Sequence, residues 1–282
     1  MSEQGRGVAG GAKVVALLVT IFILETLDNL VVHGVAVTPT GAARTLLGAV
    51  VLAIFLAWLG PRIHLSLRSL VLLVWLDLFA VEYMINYVEG VFFTTMFEGS
   101  YVSTVTVIVF AALVSGIVAA SAAFLMGRQG GNTGIRASLK EHLSTRTARS
   151  WVIRIVVASV VYFPIYFFFG LLVTPFVMPY YNNPSSGLVI PSFAVMVPVE
   201  LFRGFLFVLV LLPLLVATTG GRNTKFVALA AMLYIPGGFV ALLGGTSIPP
   251  QIIPFHATEI LADSIVYGFV LSRILQRGVK QA

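Results

Sequence analysis

The 282-residue chain contains no cysteine, which excludes disulfides, thiolate metal ligation and a cysteine nucleophile. Charge is scarce as well: 10% of residues are Asp, Glu, Lys or Arg, against 59% hydrophobic, and the mean hydropathy is +1.01. Such a composition excludes an ordinary soluble globular chain and points to a multi-pass membrane protein. Polar runs longer than about 20 residues are almost lacking, which leaves little room for a separate soluble domain. Lys and Arg are missing from the segments around Glu98, Tyr180–Gly187 and Gly244–Pro250. Proline is essentially missing from the first four apolar stretches and frequent in the rest, at Pro164, Pro175, Pro191, Pro198, Pro213, Pro236 and Pro254.

Apolar stretches of bilayer-spanning length, about 20 residues, fall near 14–34, 42–60, 69–95, 101–127, 152–178, 188–217, 225–244 and 250–273. The expected fold is an all-α polytopic membrane helix bundle with eight transmembrane helices. Arg6 and Lys13 precede the first stretch as they would in a secretory signal, but Glu25 and Asp28 interrupt it, so a retained first helix is expected. The clusters at Arg6/Lys13, Arg62/Arg68, Arg128–Arg149, Arg222/Lys225 and Arg273–Lys280 all fall on one side of this arrangement, and only Arg44 lies near the other. Positive charge retained on the cytoplasmic face then predicts a cell-membrane protein with both termini cytoplasmic, N-in and C-in. The formal charge of +6 is thereby read as a topology signal, with the lipid bilayer as partner and no nucleic acid.

The longest polar stretch, Gly127–Ser150, divides the chain into a first four-helix half (1–127), a basic cytoplasmic linker (128–150) and a second, proline-rich four-helix half (151–282). No internal repeat of the kind found in inverted-topology transporters is visible between the halves. Interior prolines bend helices and free backbone carbonyls.

Eight of the 11 acidic residues lie inside apolar stretches: Glu25, Asp28, Asp77, Glu82, Glu89, Glu200, Glu259 and Asp263. A charge near the centre of a bilayer costs roughly 2.5–3.5 kcal/mol on insertion scales, so each such acid needs a proton, a partner or a bound cation. Their spacing is ordered. His256, Glu259, Asp263 and Tyr267 recur at three, four and four residues, which places them on one helical face. Glu82, Asn86 and Glu89 repeat the pattern in the third stretch, and Glu25, Asp28, Asn29 and His33 supply a polar stripe in the first. At about 1.5 Å per residue, most of these groups lie at similar depths in the half of the bilayer away from the basic clusters. Asp77 falls off this stripe. Arg203 is the one basic residue deep in an apolar stretch, three residues after Glu200 and on the same face, as an intrahelical ion pair requires. The expected site therefore draws on Glu25, Asp28, Glu82, Glu89, Glu200, Arg203, His256, Glu259 and Asp263.

Three functions fit these residue types. Carboxylate and imidazole chains are the usual material of proton relays, so a transporter-like protein handling a proton or divalent metal is one. His256 and Glu259, at i and i+3, form a plausible pair of ligands for zinc, manganese or iron. The second is an intramembrane hydrolase, with Glu259 or Glu200 as general base, His256 as metal ligand or acid–base partner and Arg203 as electrophilic stabiliser, acting on a membrane-embedded lipid or peptide. The third is a non-catalytic scaffold whose acids serve only as interhelical glue.

The stretch Glu200-Leu-Phe-Arg203-Gly-Phe-Leu-Phe resembles the Glu-Glu-x-x-x-Arg segment of the CAAX-processing and bacteriocin-processing intramembrane proteases. The resemblance spans about eight residues and implies a glutamate-based, multi-helix protease. The chain lacks that family's paired glutamate before the arginine and its two downstream histidine motifs, so the resemblance assigns no catalytic residue.

Overall fold

In a computed structural model, which describes residues 3–31, 37–94, 101–127, 131–244 and 248–276, the described chain is helical and forms no strand beyond three isolated bridges. Nine helices follow in order among these residues: α1 Glu3–Val31, α2 Pro39–Leu59, α3 Leu67–Phe93, α4 Tyr101–Met126, α5 Ile135–Leu143, α6 Ala148–Tyr181, α7 Phe193–Ala217, α8 Arg222–Gly244 and α9 Ile253–Ile274. Seven are long and apolar enough to cross a membrane. The eighth long helix, α9, has 22 residues, and its hydropathy is lowered by the polar face already read from sequence. Apart from α5, each lies within a few residues of an expected stretch, except that α1 begins well before its expected start.

Local signals set several boundaries. Thr38 caps α2 by accepting a hydrogen bond from the Gly41 N–H at 3.0 Å, with Pro39 in the first turn. Thr147 caps α6 in the same way through the Ser150 N–H. Helix is the conformation that satisfies backbone groups within each segment when no water is available. These chains rich in Val, Ile and Phe therefore adopt it despite modest intrinsic propensity.

The two sequence halves pack around one core. Helix α6 lies against α7 and α9, α9 against α8, and α1 against α2 and α4, while α3 leaves α4 to contact α7 and α2 reaches α8. The buried apolar cluster runs without a break from Leu17 to Leu275. Gly204 makes the α6–α7 approach possible, because a Cβ there would sit 2.3 Å from the Ser159 carbonyl oxygen. The Gly204 carbonyl accepts a hydrogen bond from the Tyr267 hydroxyl of α9, so three helices are tied at one point.

Two π-helical turns face each other, Phe79–Met84 in α3 and Ile235–Val240 in α8. Such turns disrupt the regular backbone ladder. Asn86 answers this by donating to the Glu82 carbonyl at 2.9 Å and across to the Gly237 carbonyl at 2.8 Å.

The segment between the halves is a docked element rather than a bare solvated linker. His142 of α5 is buried and its Nε2 lies 2.9 Å from the Leu275 carbonyl oxygen. Trp151 is buried, donates its indole N–H to the Leu143 carbonyl at 2.7 Å and packs on the His142 ring. The Thr219 amide bonds to the Arg62 carbonyl, and Arg222 to Gln276, so Arg62, His142, Thr219 and Leu275 gather at one end of the bundle. The loops at 182–192 and 248–252 form the other end.

Candidate functional site

Arg203 organises the polar interior. Its Nη1 contacts both Glu200 oxygens, at 3.0 and 2.7 Å, and its Nη2 lies 2.6 Å from Glu89 Oε2. The intrahelical half of this triad follows from the i, i+3 spacing on α7. The Glu89 half crosses from α3, and no spacing could have shown it. Tyr166 adds a long hydrogen bond from its hydroxyl to Glu89 Oε1, 3.3 Å, and the guanidinium carbon lies 5.8 Å from the ring centres of Tyr162 and Tyr166. Two carboxylates and an aromatic cage thus compensate one buried cation. Glu200 is fully buried behind Arg203; held there in an ion pair, it is poorly placed to act as a general base.

Facing Arg203 is a cavity of about 390 Å³ lined by α3, α6, α7, α8 and α9. On α9 the expected face is realised: His256, Glu259, Asp263 and Tyr267 all line it. His256 Nδ1 lies 2.9 Å from Glu259 Oε2, forming a dyad. Asp263 is buried, and its Oδ1 has no hydrogen-bond partner among the described residues.

The remaining acids occupy a second cavity, about 290 Å³, lined by Glu25, Asp28 and Asn29 of α1, Glu82, Tyr83 and Asn86 of α3, and parts of α8. The expected residues therefore divide into two groups. Asn86, Glu89, Phe93, Tyr181, Gly237, His256 and Ile260 line both cavities and form the wall between them. His33 lies outside the described residues. Asp77 is away from both cavities, fully buried, with neither carboxyl oxygen hydrogen-bonded among the described residues.

Reading from sequence missed the tyrosines. Tyr162, Tyr166, Gly170, Thr174 and Met178 recur every four residues on α6 and all line the larger cavity. That period was legible, but the stretch is aromatic and aliphatic throughout, so the stripe did not stand out. Tyr181 lines both cavities and meets the His256 ring edge-on at 6.5 Å.

Among the described residues no three His, Asp or Glu side chains are grouped so as to hold a metal ion. The His256–Glu259 pair supplies two ligands, short of the three that catalytic zinc sites take from protein.

The chain matches no family model, no curated protein and no solved structure. The eight-residue likeness around Arg203 accordingly brings no family with it.

Proposed function

We propose that this multi-pass membrane protein handles a cation, in the manner of a transporter, through the two adjoining acidic cavities. The carrying observation is their shared wall. Glu89 and His256 stand between Glu25, Asp28 and Glu82 on one side and Glu259 and Asp263 on the other. A succession of carboxylates and an imidazole from α1, α3 and α9 is the material of a proton or cation path across a low-dielectric interior. The facing π turns of α3 and α8 supply irregular backbone at the cavities. Irregular backbone is tolerated at membrane depth where it is covered by protein or lines a cavity. Among the described residues no third ligand joins His256 and Glu259, which favours a proton over a tightly coordinated divalent metal.

The test is flux through purified protein in liposomes loaded with a pH-sensitive dye, under an imposed potassium diffusion potential. Wild type is expected to pass protons faster than protein-free liposomes, and Glu82→Gln and Glu259→Gln are expected to slow it. Wild-type flux equal to that of empty liposomes would sink the reading.

The hydrolase reading keeps one supporting observation, the His256–Glu259 dyad. A carboxylate that holds an imidazole in one tautomer and orientation is how a general base is prepared. Hydrolysis of a membrane lipid or peptide that is abolished by His256→Ala would bring it forward.

A further inference from the structure

The larger cavity has features that an inorganic ion does not need. Its volume of about 390 Å³ lies in the range of small-molecule sites, roughly 300–1,000 Å³. Most of its wall is aromatic or aliphatic, contributed by side chains such as Phe93, Phe167, Phe207 and Leu233. Three further wall residues also face outward from the bundle: Leu171 is 53% exposed, Phe193 59% and Ile190 47%. Residues that are at once cavity wall and outer surface mark a sideways opening between α6 and the start of α7, towards lipid. At Gly170 the α6 backbone passes close to the acidic face of α9, since a Cβ there would come within 3.2 Å of Glu259 Oε1.

The charge of the cavity selects the sign of its occupant. Arg203 contacts Glu200 through Nη1 and Glu89 through Nη2, so two carboxylates already stand against its single positive charge. Opposite it, Asp263 is 8% exposed and its Oδ1 has no partner among the described residues, while Glu259 adds a second carboxyl on the same face. The rings of Tyr162, Tyr166 and Phe207 already gather about one cation, Arg203. Aromatic faces of this kind attract desolvated ammonium groups.

Building on the cation-handling reading, we propose that the larger cavity binds an amphipathic organic cation, a quaternary or protonated amine or an equivalent onium ion on an apolar body. The occupant reaches the cavity from the lipid between α6 and α7, and its charged head settles against Asp263 and Glu259. Charge balance requires one proton to leave for each monovalent cation taken up by a protonated carboxyl. The carboxyl O–H bond breaks, the carboxylate keeps the electron pair as counter-ion, and the proton passes to water. No redox partner is involved.

The experiment is equilibrium dialysis of the detergent-purified full chain against radiolabelled tetraphenylphosphonium, with tetraphenylborate as a control of opposite charge and similar shape. The same titration is repeated in weak buffer with a pH indicator. Wild type is expected to bind tetraphenylphosphonium saturably, to ignore tetraphenylborate and to release protons on binding. Asp263→Asn is expected to weaken binding by roughly tenfold or more, as for the loss of one charged contact. Gly170→Leu, which changes no charge but fills the space beside Glu259, is expected to weaken it comparably, with monodispersity and thermal unfolding confirming that both variants are folded. Absence of saturable binding, equal binding of the two probes, or binding unchanged in both folded variants would overturn the proposal. Proton flux in liposomes without tetraphenylphosphonium binding would overturn this inference alone. Absence of both would overturn the parent reading as well.

Discussion

At the scale of single residues, the interior contains two buried charge problems with different solutions. Arg203 is held by two carboxylates, and removing one member of such a group costs more than the group contributes, because it leaves the others unpaired. Arg203→Met should therefore lower stability by about 3–5 kcal/mol. Adding Glu200→Gln should recover part of that loss. Thermal unfolding in detergent checks both, and a double variant no more stable than Arg203→Met would contradict the ion-pair account. Asp77 is the opposite case, a fully buried carboxyl whose oxygens accept no hydrogen bond among the described residues. Burying an unpaired polar group costs about 1–3 kcal/mol by mutational measures. Asp77→Leu should raise the melting temperature, and a fall would show that the carboxyl has work that its contacts do not reveal.

At the scale of elements, regular helices build the bundle and irregular ones build the site. The π turns of α3 and α8 face each other, and Asn86 spans them by bonding to carbonyls on both helices. Truncating that side chain leaves both carbonyls to find other partners, and each buried unsatisfied group costs about 1–3 kcal/mol. Asn86→Leu should accordingly destabilise the protein by a few kcal/mol, roughly the sum of the two losses, as read by thermal unfolding. It should also slow proton flux in liposomes, because Asn86 belongs to the wall shared by the cavities. A variant with wild-type stability would show that the bridge carries no weight. The order of the α9 face and the Glu200–Arg203 pair were both legible in sequence, since helical periodicity alone brings such residues together. The Asn86 bridge was not, because its acceptor is a backbone carbonyl 151 positions away.

At the scale of the whole molecule, the absence of cysteine makes topology directly measurable. Arg62, His142 and Leu275 gather at one end, and Ser185 lies in the loop at the other. The charge-based expectation that the basic clusters face the cytoplasm predicts that Ser185→Cys reacts with a membrane-impermeant maleimide in intact cells, whereas Ser144→Cys reacts only after permeabilisation. The reverse pattern would invert the orientation drawn from charge. Composition and hydropathy by themselves determined the class, the all-helical bundle and the approximate limits of its long helices, because a segment in lipid must satisfy its own backbone and so reports its structure locally. Side-chain spacing determined which residues share a face. Only the tertiary structure decided that Glu89 joins Arg203, that the acids separate into two cavities rather than one, that α5 docks through His142 and Trp151, and that the tyrosines of α6 face inward. Those outcomes depend on the lateral order and rotation of helices, which are set by contacts between residues far apart in the chain and leave no periodic mark in it.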